Sequence, residues 1–348
     1  MCLLQIKLGK FRNIIIPAVL FCLGMCLMIL SSCRTRQSVP VSKTGIYFDT
    51  VITITLYDGS EADINQCFAL CDKYEKLFSR TIPDSEISLI NSNSQNGVYT
   101  KVSADTIALL KYGIQYSEIS NGRFDITVGE LTKLWDYDKM TVPKEEEIRS
   151  CVKNIDYRQL LIRENEVLLN NPHSSLDVGG IAKGYIADRL KEYLKHNAVK
   201  KGMINLGGNI LLIGTKPDKT DYNIGIQRPF SADGTSLAIL HISDESIVTS
   251  GVYERYFRKG EELFHHILDT GTGYPVSNGL LSVTIVSEKS VDGDGLSTSV
   301  FALGMAEGMK LVENIEGVEA ILVDEDYQIM LTSGLHMKGN VIEVNCDN

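Results

Sequence analysis

Lys7, Lys10 and Arg12 precede an almost wholly apolar stretch of 17 residues from Ile14 to Leu30, and Ser31-Ser32-Cys33 follows at once. A basic start, an apolar centre and small residues ahead of a cut are the signature of a secretory address. What remains must therefore fold after export. The stretch is also near the lower limit for crossing a bilayer, so an uncleaved anchor helix is the alternative. Such an anchor has no need of Ser-Ser-Cys at that point. Both readings put the globular part outside the cytoplasm.

Small residues followed directly by Cys33 resemble the lipobox of bacterial lipoproteins, in which the cysteine is acylated and becomes the first residue of the mature chain. The resemblance implies a signal peptide over residues 1–32 and a lipid, palmitate among its acyl groups, on Cys33. A polar tether then spans 33–44 and a catalytic domain spans 45–348. The protein would be anchored to the bacterial cell membrane, facing the periplasm or the exterior.

The full chain carries 34 basic and 44 acidic side chains, a net charge of −10. Residues 1–32 hold three bases and no acids, so removing them leaves 31 against 44, a net of −13. That balance argues against a nucleic-acid binder, which usually shows a basic stripe. Four of the eight cysteines fall in the first 33 residues. Cys67, Cys71, Cys151 and Cys346 are too sparse for a disulfide framework. Cys67 and Cys71 lie one turn apart on an apolar helical face, which reads as core.

Alternation and β-branching predict strands at Phe48–Tyr57, Met203–Ile213, Tyr222–Gln227, Leu237–Ile242, Leu281–Ser287, Glu319–Asp324 and Tyr327–Thr332. Apolar spacing predicts helices over 62–78, 105–119, 180–196 and 296–313. Gln159–Asn170 reads as a hairpin around Glu164-Asn165. Strands outnumber helices and cluster in the second half, which indicates an α+β fold with largely antiparallel sheets and packed helices.

Five segments have residue choices unusual for pure packing. Phe78–Asn91 holds Pro-Asp-Ser-Glu, which on its own is a turn and helix cap. Gly122–Trp135 embeds Asp125 between Phe124 and Ile126, as a cap for backbone amides or as a ligand-binding acid. In Ser175–Asp188 a strand ends at Asp177, and Gly179-Gly180 opens a helix carrying Lys183. A tight turn and a phosphate site are both open readings there. Asn205–Gly214 brings paired glycines to a strand. Val248–Thr298 contains Thr249–Phe257, His265–Val276 and Asp292–Val300. Within it Asp294 and Thr298 are four residues apart and share a helix face. A carboxylate and a hydroxyl so placed suit a hard cation, or the acid simply complements the helix dipole.

In this order and spacing, SRTIPDSEIS, GRFDITVGELTKLW, LDVGGIAKGY, NLGGNI, TSGVYERYF, HHILDTGTGYPV and DGLSTSVFALG resemble the FAD:protein FMN transferase (ApbE-like) family. The match covers roughly 45–335. The resemblance implies an ApbE-like, T-fold-like architecture with the flavin site in a cleft between two lobes. It implies a Mg²⁺-dependent enzyme that cleaves the FAD diphosphate, attaches FMN to a Thr or Ser hydroxyl of a membrane redox-complex subunit, and releases AMP. It places the metal on the Ala182 carbonyl, Asp294 and Thr298, with Ser297 adjacent. FAD contacts carry over to Phe48, Thr81, Arg123, Phe124, Asp125, Gly179, Lys183, Tyr185 and Leu268. The chain departs from the family at Asp269-Thr270-Gly271-Thr272-Gly273, where Asp-Pro-basic-Thr-Gly is frequent, and at Thr81, where an aromatic is common. His266, which titrates near neutrality in water, is the candidate base for the acceptor hydroxyl. The alternatives are a Mg²⁺-dependent FAD pyrophosphatase giving FMN and AMP, and a non-catalytic FAD-binding lipoprotein.

Overall fold

The computed structural model describes residues 39–345 except 232 and 233. The signal peptide, Cys33, the first part of the tether and Cys346 lie outside the described residues. Among the described residues no helix is long and apolar enough to cross a membrane.

Eight strands form one sheet whose spatial order follows chain order: β1 (Val41–Tyr47), β2 (Thr50–Leu56), β3 (Gly202–Leu206), β4 (Asn209–Ile213), β5 (Ser246–Gly251), β6 (Leu280–Ser287), β7 (Val318–Asp324) and β8 (Ile329–Leu331). Every neighbouring pair is antiparallel. Eight helices accompany the described strands: α1 (Glu61–Phe78), α2 (Glu86–Ser94), α3 (Ala104–Ile119), α4 (Gly129–Leu134), α5 (Glu145–Val152), α6 (Gly179–His196), α7 (Ser290–Leu303) and α8 (Met305–Val312).

Period-two alternation assigns each strand residue to a face. Val283 and Ile285 join the helical core, while Val286, one residue on, joins a second core. In that second core Leu212, Ile247 and Ile321 meet a four-stranded sheet of Tyr222–Gln227, Ser236–Ile242, Leu335–Lys338 and Val341–Val344. A third cluster packs Leu131, Trp135 and Ile148 under Phe257 and Phe264 of the hairpin Tyr256–Lys259/Glu262–His265. This is the α+β, largely antiparallel arrangement the pattern predicts.

Four boundaries differ from the pattern. β1 begins at Val41, inside the stretch read as tether. It is an edge strand covered on one face only, so alternate positions are polar and look like linker; Ser42 and Thr44 pair through their hydroxyls with Thr55 and Thr53. Met203–Ile213 is two strands, turned at Gly207 and Gly208 with φ of 60° and 94°. The helix expected from Leu296 starts at Ser290 and ends at Gly304 (φ 82°), which separates α7 from α8. The strand expected before Asp177 is a single bridge between Val128 and Ser175. Cys67 and Cys71 are buried core residues without a disulfide, and burial pushes both thiols up to about 12.

Candidate active site

The site is built on the crossing of α6 and α7. A side chain at Gly184 would place its Cβ 2.3 Å from the Ser290 carbonyl oxygen, so only glycine permits this approach. Asp188, one turn further along α6, accepts the amides of Ser290 (2.8 Å) and Val291 (3.0 Å) at the start of α7. Those amides have no partner within a helix, so the carboxylate ties the two helices together. Burial pushes the Asp188 carboxyl up to about 6.

This crossing delivers Asp294. Its Oδ2 accepts the Gly184 amide at 2.8 Å, and its Oδ1 lies 3.8 Å from Lys183 Nζ. The residue is only 5% exposed. Burial holds the carboxyl above the usual carboxylate range, opposed by Lys183 and the Gly184 amide. A buried carboxylate with a single short hydrogen bond is under-satisfied, and so disposed to take a cation. One turn on, Thr298 is half-buried, and its Oγ1 is 3.1 Å from Ser250 Oγ on β5. Ser297 is different: it is fully buried and returns its hydroxyl to the Asp294 carbonyl at 3.1 Å, which makes it a strut in the helix rather than an open ligand. Ala182 is half-buried two residues before Gly184.

His266 follows the 262–265 strand, and its amide bonds to the Arg255 carbonyl at 3.1 Å. The residue is exposed at the surface. Loss of surrounding water, then the neighbouring His265, Lys183 and Arg255, push its imidazole down to about 4. Lys183 thus acts electrostatically on Asp294, on His266 and on the exposed Glu254, whose carboxyl is raised by partial loss of surrounding water. Two members of this group were invisible to motif reading: Ser250 and Glu254 both lie in TSGVYERYF, a segment noted without a role for either.

The other candidates fall into two sets. Arg123 pairs with Asp269 Oδ2 at 2.8 Å, while Thr270 donates to the Gly122 carbonyl and Trp135 Nε1 to the Gly273 carbonyl. These bonds hold the GRFD segment on the DTGTG loop. Leu268, bridged to Pro275, packs at the third cluster. Thr81 lies exposed on a loop whose Arg80 reaches Thr132 (3.0 Å) and Asp177 (3.5 Å). Phe48 occupies the β1–β2 turn with φ of 54°, unusual for an aromatic, and its amide is held by Glu75.

Four further expected FAD contacts take part in the fold's own bonds and packing. Asp125 Oδ1 accepts the Thr127 amide and hydroxyl, and Oδ2 accepts the Tyr157 amide. The backbone-cap reading of this acid is therefore present in the fold. Gly179 gives its amide to Asp177 at 3.0 Å, so the first amide of α6 is capped internally. Phe124 is buried edge-on to Tyr116. Tyr185 is buried against Tyr74, Phe78 and Tyr112, and its hydroxyl reaches Asp105. Two helical residues on from Lys183 is about 200° of rotation, so the two side chains cannot share a face.

Residues 48–322 match the ApbE family. An FAD:protein FMN transferase of Klebsiella pneumoniae is 34% identical over 296 residues, 84% of this chain and 92% of that protein. One from Treponema pallidum is 28% identical over 90% of this chain and 93% of its own length. Among solved structures, the ApbE protein of Thermotoga maritima superposes with a TM-score of 0.77 at 29% identity, over 85% of this chain and 97% of that one. The flavin transferase ApbE of Vibrio cholerae gives 0.76 at 27% identity, over 85% and 98%. The fold and the oxygen-lined, lysine-flanked site are those of a group-transfer enzyme. The chain belongs to the ApbE family, a family of flavin transferases.

Proposed function

We propose that this chain is an FAD:protein FMN transferase that works on exported acceptors with Mg²⁺ held by Asp294, Thr298 and the Ala182 carbonyl. The observation that carries the reading is the buried Asp294 carboxylate, steadied by Gly184 on one oxygen and loosely faced by Lys183 on the other. The donors are all oxygens, which fits a hard cation. Among the described residues no cluster of three or more His, Cys, Asp or Glu could hold a metal, and in this reading a hydroxyl and a carbonyl join Asp294. When bound, the ion neutralises the diphosphate and eases departure of AMP.

The protein's own groups then have defined tasks. Lys183 offsets phosphate charge, and Arg123 and Asp269 tie the GRFD segment to the DTGTG loop. His266 accepts the proton of the acceptor Thr or Ser as its oxygen attacks the FMN phosphorus. The bond from that phosphorus to the bridging oxygen breaks, and its electron pair leaves with AMP. The test is incubation with FAD, Mg²⁺ and a Thr-bearing acceptor. Flavin fluorescence on the denatured acceptor supports transfer. Free FMN alone marks a pyrophosphatase, a reading favoured by the solvent access of His266.

For the exported form, Cys33 carries the lipid and the domain begins at Val41. The seven intervening residues make eight Cα-to-Cα steps that reach at most about 28 Å, so acceptors would be membrane proteins close to the bilayer. Fractionation of a Cys33→Ala variant tests this; retention in the membrane overturns it.

A further inference from the structure

Three hydroxyls meet beside Asp294. Ser250 Oγ lies 2.9 Å from Ser297 Oγ and 3.1 Å from Thr298 Oγ1, and Ser297 Oγ donates to the Asp294 carbonyl at 3.1 Å. A carbonyl oxygen only accepts, and each hydroxyl carries one hydrogen. The direction of the whole chain follows from its end. Ser297 spends its hydrogen on the carbonyl, so the Ser250–Ser297 contact takes its hydrogen from Ser250. The Ser250–Thr298 contact must then take its hydrogen from Thr298. Thr298 is left with its hydrogen turned towards β5 and its lone pairs free, the state in which a hydroxyl ligates a cation.

We infer that Ser250 is a positioning residue for the cation site: it accepts the Thr298 hydrogen and so aims the Thr298 lone pairs at the ion. The fold places it there deliberately. A Cβ at Gly293 would lie 2.7 Å from Val248 Cγ2, so glycine in the first turn of α7 is what lets β5 come close enough for Ser250 to reach Thr298. Ser250 is bonded to two partners on α7, and Ser297 is wholly buried, so the chain has little freedom to reorient.

This inference rests on the Mg²⁺ reading of Asp294 and Thr298, and the experiment separates the two. Mn²⁺ alone is titrated into the full-length protein and followed by electron paramagnetic resonance, with thermal melting as the control for folding. Asp294→Ala is expected to abolish binding. Ser250→Ala is expected to weaken it roughly five- to tenfold, about the worth of one hydrogen bond. Ser250→Thr restores the hydroxyl in a strand where β-branching is at home, and is expected to return affinity to within about twofold. Wild-type affinity in Ser250→Ala, with binding lost in Asp294→Ala, overturns the positioning role and leaves the metal reading standing. So does equal weakening in Ser250→Ala and Ser250→Thr. Binding retained in Asp294→Ala overturns both.

Discussion

The Gly184 amide donates to Asp294 Oδ2 at 2.8 Å across the α6–α7 crossing, and the missing side chain of the first residue is what brings the second into reach. Gly184→Ala drives a methyl into the Ser290 carbonyl. The helices must part, at a cost of about 1–3 kcal/mol. Thermal melting should show that loss, and flavin transfer should fall at least tenfold even at temperatures where the variant is folded. Full transfer by a folded Gly184→Ala protein would sink the argument.

Asp294→Asn keeps the shape of the side chain and removes its charge. The buried carboxylate has only a loose partner in Lys183, so relieving it should leave the melting temperature unchanged or raised. Transfer should nonetheless drop by two orders of magnitude or more, and Mg²⁺ should no longer rescue it. A Mg²⁺ titration of covalent flavin fluorescence checks both halves.

Asp125 offers the opposite contrast. Its two oxygens serve the Thr127 and Tyr157 amides and the Thr127 hydroxyl. Asp125→Ala strands those buried donors, a cost of about 1–3 kcal/mol each where water cannot replace the acceptor. The expected result is a clear fall in melting temperature, with FAD affinity within about threefold of wild type for the folded fraction. A large loss of affinity with no loss of stability would favour the ligand reading instead.

Asp125 also shows where sequence reading stops. An acid between two apolar residues announces that it has a partner, but a cap and a ligand leave the same local pattern. Asp294 and Thr298 were legible because helical spacing alone puts them on one face. Lys183 and Tyr185 share a motif, yet rotation about α6 sends one to the site and the other to the aromatic core. Ser250 and Glu254 depend on which strand lies over α7, a non-local fact that no spacing encodes. β1 was hidden because an edge strand with one solvated face resembles a linker.

His265 is buried, with its Nε2 held 2.9 Å from the Val276 carbonyl. Burial pushes it down to about 4, from an ordinary value near 6.5. The unfolded chain therefore binds the extra proton more readily. Stability from this group is complete above about pH 6.5 and is lost as pH falls towards 4. Denaturant midpoints should fall over that window, and by less in His265→Gln. An identical pH slope in the variant would contradict it.

His266 turns the same physics to catalysis. Its imidazole, pushed down to about 4 by loss of surrounding water first and by His265, Lys183 and Arg255 after it, is neutral across the physiological range. A general base must be neutral to work, so no protonation of His266 should limit the enzyme between pH 6 and 8. For wild type, kcat/KM should be level there and decline only as pH approaches the lowered value, provided folding is intact. A limb near 6.5 would mean that the ring titrates as in water and that its surroundings differ from those described. His266→Gln should lower transfer by about 10²- to 10⁴-fold, the usual worth of a positioned base. Its residual rate should rise with pH as hydroxide replaces the missing base. Should the variant keep both the rate and the level profile, the proton goes elsewhere, and Glu254, whose carboxyl is raised by partial loss of surrounding water and which feels the same lysine, is the next group to replace.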